Sequence, residues 1–334
     1  GMKSTSDVKS IVPPVEVSTI FQHDKGGHKE GDYLYSRMNN PNREALEELL
    51  ASLEEGEKAL AFSSGLAAMS AVFQWAGKGA HIIIPEDVYH GSWKLMDEFA
   101  ESWSVDFDMV DTSDLDKLEA AIRPETRLIH LETPSNPLLI ITDVEKAVAL
   151  AHKHGITVSV DNTWPTPLNL RPLNYGADMV VHSTTKYLGG HSDIIGGAVV
   201  FRKVDERFER MKKIQIVQGG VPSPRDCWLL SRSIRSFPYR MRGHNANAEQ
   251  VAKELVEHPA VEQVFYPGLK DHPGHEIARS QMRGFGGMIS FTVKGDAEEA
   301  LKVVAASKLV SRATSLGGVE STWEHRASSE GEKS

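Results

Sequence analysis

Five short, mostly apolar runs recur between residues 81 and 201: His81–Ile84, Arg127–Leu131, Thr157–Val160, Asp178–Val181 and Gly197–Phe201. Segments with helical periodicity separate most of them, among them Asp114–Ile122 and Val144–His154. Runs this continuously apolar suit strands buried on both faces. Joined by helices, such strands form a mainly parallel sheet covered on each side, which predicts an α/β fold. At 334 residues the chain exceeds one minimal core and suits a large α/β domain with a smaller companion.

The flanks read differently. Residues 3 to 40 carry Pro13, Pro14 and a glycine, lysine and histidine cluster at 25–29, which predicts an irregular arm. Asn42 is expected to cap a helix whose inner face is Ala45, Leu46, Leu49 and Leu50. Near residue 240 the pattern turns α+β. A helix is expected over Gly243–Glu257, strands over Val261–Tyr266 and Met288–Val293, a helix over Ala297–Ala306, and a terminal strand. This predicts an arm over 1–45, a large domain over 46–240 and a small C-terminal domain over 241–334. Residues 327–334 are small and charged, and disorder is expected there.

Charge and composition exclude several functions. A net charge of -9 gives no basic field for nucleic acid or an anionic membrane. The basic tract from Arg202 to Lys213 is interleaved with Asp205, Glu206 and Glu209, and is expected to be a solvated helix face. No apolar stretch approaches the ~20 residues of a membrane span, and no signal peptide is evident. Gly1 ahead of Met2 resembles a cloning remnant. Cys227 is the one cysteine; it lies in a helical pattern and is expected to be buried, and a reducing cytoplasm is the simplest setting. His272-Pro273-Gly274-His275-Glu276 lacks the helical H-E-x-x-H order, so no metal is expected.

The chemistry concentrates in Thr157–Asp193. One apolar run ends on Asp161; the next ends on His182-Ser183-Thr184-Thr185-Lys186, followed by Gly189-Gly190. In open α/β sheets ligands sit beyond the carboxyl ends of the strands. A lysine can form an imine, a carboxylate can pair with a ring nitrogen, and hydroxyls can hold a phosphate; together they suit pyridoxal 5'-phosphate. Ser64-Gly65-Leu66 opens a helix, whose free N–H groups favour a phosphate. No P-loop pattern occurs.

Six motifs carry a resemblance: YSR (35–37), SSGLAAM (63–69), ETPSNP (132–137), DNTWPTP (161–167), HSTTKYLGGHSDIIGG (182–197) and SLGGVES (315–321). The chain resembles, over about residues 10–325, the Cys/Met-metabolism family of pyridoxal phosphate enzymes. The resemblance implies a fold-type I architecture with a mostly parallel seven-stranded sheet. It implies that Lys186 forms the imine and Asp161 partners the ring nitrogen. It implies that Ser183, Thr185 and the N–H groups of Gly65 and Leu66 bind phosphate. Tyr89 then stacks on the ring and Asn136 lies near its hydroxyl. Tyr35 and Arg37 reach a neighbouring subunit's phosphate, and Glu320 and Ser321 line the substrate pocket. A homo-oligomer follows, a dimer of dimers by analogy with the family.

The family's reactions belong to cysteine and methionine biosynthesis by trans-sulfuration. Glu320 fits the cystathionine γ-synthase and γ-lyase branch, acting on a small amino-acid substrate. Cystathionine β-lyase, O-acylhomoserine sulfhydrylase and methionine γ-lyase are alternatives; Gly91, where methionine γ-lyases carry cysteine, argues against the last. His90 and Ser92 also depart from the usual Tyr-Gly-Gly-Thr. A non-enzymatic interaction protein is a further alternative, opposed by the complete set Lys186, Asp161, Tyr89 and Arg37. The family's Arg-Leu-Ser-x-Gly stretch, implied to bind the substrate carboxylate, is not present, so either the C-terminal domain is shortened or the substrate is anchored differently.

Overall fold

The computed structural model describes residues 11–23, 25–27 and 32–330. The arm that opens it is irregular, with an isolated bridge between Ile20 and Tyr35. Helix α1 (Pro41–Glu54) is capped two residues earlier than expected. The Asn40 side chain, not that of Asn42, accepts the N–H groups of Asn42 and Arg43. Pro41 occupies the first helical position, where a missing N–H costs nothing.

Strands and helices then alternate. They are β1 (Lys58–Phe62), α2 (Gly65–Ala76), β2 (His81–Pro85), α3 (His90–Trp103), β3 (Asp106–Val110), α4 (Leu115–Ala120) and β4 (Thr126–Glu132). Next come α5 (Val144–Lys153), β5 (Thr157–Asp161), α6 (Thr166–Asn169), β6 (Met179–Ser183), β7 (Gly197–Phe201), α7 (Glu206–Gln218), α8 (Pro224–Ile234) and α9 (Phe237–Glu257). The seven strands form one sheet in the order β1-β7-β6-β5-β4-β2-β3. Only β7 runs against its neighbours.

Successive residues of each strand feed opposite cores. Ile83, Ile129, Val158 and Val180 pack with residues of α1, α5 and α8. Ile82, Ile84, Leu128 and Val181 pack with residues of α2, α3 and α7. The period of two, apolar on both faces, is the doubly covered sheet that the sequence predicts. Because β2, β4, β5 and β6 are parallel, their carboxyl ends open on one edge.

Helix α9 runs unbroken across residue 240. Beyond it, β8 (Val261–Phe265), α10 (His275–Gln281) and β9 (Ser290–Val293) follow, with β8 and β9 antiparallel over a small core of Ala248, Ala252 and Tyr266. Then come α11 (Ala297–Ala306), β10 (Ser311–Arg312), β11 (Thr322–Trp323) and α12 (Arg326–Glu330). Helix α12 falls partly on the stretch expected to be disordered, because Ser328 and Ser329 hydroxyls fold back onto the His325 carbonyl. Residues 331–334 lie outside the described residues. The basic tract on and before α7 is also not wholly solvated: Arg202 and Arg207 both pair with buried Asp178. Cys227 is buried as expected, which pushes its thiol up to about 12. Among the described residues no helix is long and apolar enough to cross a membrane, and no cluster suits a metal ion.

Candidate active site

Lys186 sits in the turn that leaves β6. Its N–H donates to the Ser183 carbonyl, its own carbonyl accepts from Gly190, and the Gly189 N–H returns to Thr184. The turn aims the ammonium at a second segment, where Nζ donates to Ser315 Oγ at 2.6 Å. Burial lowers the basicity of this amine, and the Glu324 carboxylate partly opposes that shift. Gly317 lets the second segment come so close. With φ of +86°, any Cβ there would stand 2.5 Å from Tyr187 N and 2.7 Å from the Lys186 carbonyl carbon.

Asp161 closes β5 opposite Glu132 of β4 in the sheet register. Its Oδ1 accepts the Thr163 N–H at 2.9 Å, and Thr163 Oγ1 accepts the Ser183 N–H at 2.8 Å. The ends of β5 and β6 are thus tied together. Glu132 is buried and accepts the Tyr89 N–H at 3.1 Å. Burial first, and then the nearby Asp161 charge, push the Glu132 carboxyl well above the usual carboxylate range. Tyr89 stands at the start of α3, 42% exposed, while Asn136 is buried in the loop after β4.

The start of α2 completes one wall. Ser64 caps the helix by accepting the Ala67 N–H, leaving the N–H groups of Gly65 and Leu66 ahead of the helical ladder. Gly65 abuts Ser183: an added Cβ would lie 2.9 Å from Ser183 Cβ and 3.0 Å from its Oγ. Thr185 Oγ1 accepts the Gly196 N–H at 3.1 Å. A helix N-terminus with a hydroxyl packed against it is a seat for an anion. A half-buried amine, a carboxylate at the neighbouring strand end and this seat fit a phosphorylated aldehyde with a basic ring.

Tyr35 and Arg37 lie on the arm. Arg37 sits 5.4 Å from the Tyr35 ring centroid and donates to the Ile216 carbonyl of α7 at 2.8 Å, so within its own chain it is held against α7. Glu320 is exposed and accepts the Ser192 hydroxyl, while the Ser321 carbonyl accepts the Ser311 N–H. Three interacting residues were not assigned from sequence: Ser315, Glu132 and Ser192. Ser315 opens SLGGVES, Glu132 opens ETPSNP and Ser192 lies in HSTTKYLGGHSDIIGG, so all three stood inside the motifs that carry the resemblance.

A mostly parallel α/β sheet with a half-buried lysine at a strand end, beside a helix N-terminus, defines the class of pyridoxal phosphate-dependent enzymes. The model of the Cys/Met metabolism PLP-dependent enzyme family matches residues 1–333, and the chain belongs to that family. Pyridoxal phosphate is therefore its cofactor. A probable cystathionine gamma-synthase of Herpetosiphon aurantiacus is 48% identical over 299 residues, 90% of this chain and 93% of that protein. A cystathionine gamma-lyase of Bacillus subtilis is 46% identical, covering 93% and 80%. A crystal structure of cystathionine gamma synthase from Xanthomonas oryzae pv. oryzae, in complex with aminoacrylate and cysteine, superposes with a TM-score of 0.93 at 38% identity, covering 97% and 84%.

Proposed function

We propose that the chain catalyses elimination or replacement at Cγ of a four-carbon amino-acid unit, that of an activated homoserine or the corresponding half of cystathionine. The observation that carries this is the loop 315–321. It bonds the Lys186 amine through Ser315 and presents Glu320, steadied by Ser192, from the same segment. Relatives named for Cγ chemistry in both directions support the reading.

When bound, pyridoxal phosphate supplies a sink for negative charge at Cα. Lys186, its basicity lowered by burial, takes the proton from Cα, gives it up, and as a free base again takes one from Cβ. The Cγ substituent leaves with its bonding pair. Asp161 holds the proton on the ring nitrogen. Ser183, Thr185 and the N–H groups of Gly65 and Leu66 hold the phosphate, while Tyr89 covers the ring face and Asn136 meets its hydroxyl. Glu320 and Ser321 face the substrate.

Tyr35 and Arg37 complete the phosphate site of a second copy, which requires at least a dimer and accords with a dimer of dimers. Exposed Ile11, Val17 and Ile20 on the arm support such a contact. The arm (1–45), the cofactor domain (46–240) and the C-terminal domain (241–334) are the corresponding units. The cytoplasm is the proposed compartment, in keeping with a buried, unpaired Cys227.

Product analysis tests the reading. Cystathionine is expected to release 2-oxobutyrate, or an O-acylhomoserine with cysteine to yield cystathionine. Lys186→Ala is expected to abolish both and to prevent reductive trapping of the cofactor on the chain. Pyruvate as the main product from cystathionine would overturn the Cγ assignment.

A further inference from the structure

The loops that follow β2 and β4 exchange carboxylates. Glu132, at the end of β4, reaches the β2 loop, where its Oε2 accepts the Tyr89 N–H at 3.1 Å. Asp87, in the β2 loop, reaches the opposite way. Its Oδ2 accepts the Leu138 N–H at 3.0 Å and the Ser135 hydroxyl, on either side of Asn136. Ser135 Oγ in turn accepts the Ile140 N–H at 2.8 Å, closing the β4 loop on itself.

The exchange meets local needs. Tyr89 heads α3 with no side-chain cap of its own, so the helix end depends on an acceptor from elsewhere. Adjacent parallel strands place the two loops side by side, but nothing in a sheet register fixes how far apart the loops stand. Two crossed bonds do, because neither loop can slide without lengthening one of them.

We propose that Asp87 and Glu132 are a pair of positioning residues that sets the separation between the Tyr89 ring and the Asn136 amide, and so shapes the slot for the cofactor ring. The inference rests on the reading of Tyr89 and Asn136 as cofactor contacts. It assigns Glu132 the part of an acceptor: a neutral acid, as its burial favours, serves as well as an anion. An amide oxygen at either position then suffices.

Titration of apo-protein with pyridoxal phosphate tests this, read by visible absorbance and visible circular dichroism. The melting temperature of each apo-protein is measured alongside. Asp87→Ala and Glu132→Ala are expected to bind the cofactor about tenfold more weakly or worse, the usual consequence of an unmet buried donor, and to lose most ellipticity per bound cofactor. Asp87→Asn and Glu132→Gln are expected to restore both, and the double alanine variant to be little worse than the weaker single one. Alanine variants with unchanged affinity and ellipticity would overturn the proposal. So would amide variants as impaired as the alanines. If the alanine variants do not fold, Ser135→Ala decides, since it removes one donor to Asp87, together with the acceptor of the Ile140 N–H, and leaves both carboxylates. Lower ellipticity at saturating cofactor supports the pair; unchanged ellipticity defeats it. A wild type that forms no cofactor band overturns the site itself, and with it this role, and is distinct from any variant effect.

Discussion

The ε-amino group of Lys186 donates to Ser315 Oγ at 2.6 Å, linking residues 129 positions apart. Ser315 holds φ at +92°, a left-handed conformation that a non-glycine residue adopts at a penalty of about 1–3 kcal/mol. The backbone strain and the hydrogen bond make separable predictions. Ser315→Ala keeps the strain and loses the bond, so kcat is expected to fall about tenfold with little change in KM. Ser315→Gly loses the same bond but relieves the backbone, so it should melt higher than the alanine variant at equally low kcat. Steady-state kinetics and thermal melts check both. Wild-type kcat in Ser315→Ala would remove the bond from the catalytic account.

Glu54 predicts a loss of stability. From the end of α1 its Oε1 accepts His182 Nε2–H at 2.6 Å and Asn162 Nδ2–H at 2.7 Å, with all three residues no more than 1% exposed. These donors neighbour Ser183 and Asp161 in sequence. Glu54→Ala strands two buried donors, and a destabilisation of about 3–5 kcal/mol is expected in urea unfolding. Glu54→Gln keeps one acceptor oxygen and should lose clearly less. A change below about 1 kcal/mol in the alanine variant would mean that water or another group satisfies the donors.

How much of this was legible follows from where each signal lies. Runs such as Ile82–Ile84 and Val158–Val160 are buried on both faces, so apolar continuity alone announced their strands. Strand β3, Asp106–Val110, lies at the sheet edge and alternates acids with apolar residues. Strand β1, Lys58–Phe62, carries no β-branched residue, and its partner β7 is distant in sequence. Neither could be read by the same rule. At the site, Lys186 and Asp161 stood out because one follows an apolar run and the other closes one. The bonds Lys186–Ser315 and Tyr89–Glu132 join segments remote in sequence, and no local pattern encodes such pairings. Asn40 was displaced by Asn42 in the reading because both residues flank Pro41 and either type can cap.

His130 predicts the acid limb of stability. It is buried on β4, with Nδ1 2.8 Å from Ser159 Oγ and its ring edge-on to Phe73. Burial lowers its pKa to about 4, against the ordinary 6.5, with Asp161 opposing weakly. Between those values the unfolded chain binds a proton that the folded chain refuses. Stability is therefore whole above about 6.5 and declines as pH falls toward 4. The contribution is roughly 3 kcal/mol across that window. Urea unfolding of apo-protein at steps of pH should show this slope, and His130→Gln should flatten it. An unchanged slope in the variant would assign the acid limb to other groups.

Gly65→Ala sets helix propensity against ligand binding. Alanine is a better helix former than glycine by up to about 1 kcal/mol, and Gly65 opens α2 without a positive φ. On those grounds the fold should be unharmed. The added methyl, however, would stand 2.9 Å from Ser183 Cβ and 3.0 Å from its Oγ, closer than carbon atoms normally approach. Ser183 ends β6 and its N–H is held by Thr163, so its backbone has little freedom to retreat. Turning the side chain moves only its hydroxyl and leaves Cβ where it is, so the first turn of α2 must draw back slightly, carrying the N–H groups of Gly65 and Leu66 away from that hydroxyl. The apo-protein is expected to melt within a few degrees of wild type, about the shift a 1 kcal/mol change allows. Its affinity for pyridoxal phosphate should fall about tenfold, while pyridoxal lacking the phosphate should bind as before, because only the anion uses this corner. Equal weakening of both ligands would place the phosphate elsewhere.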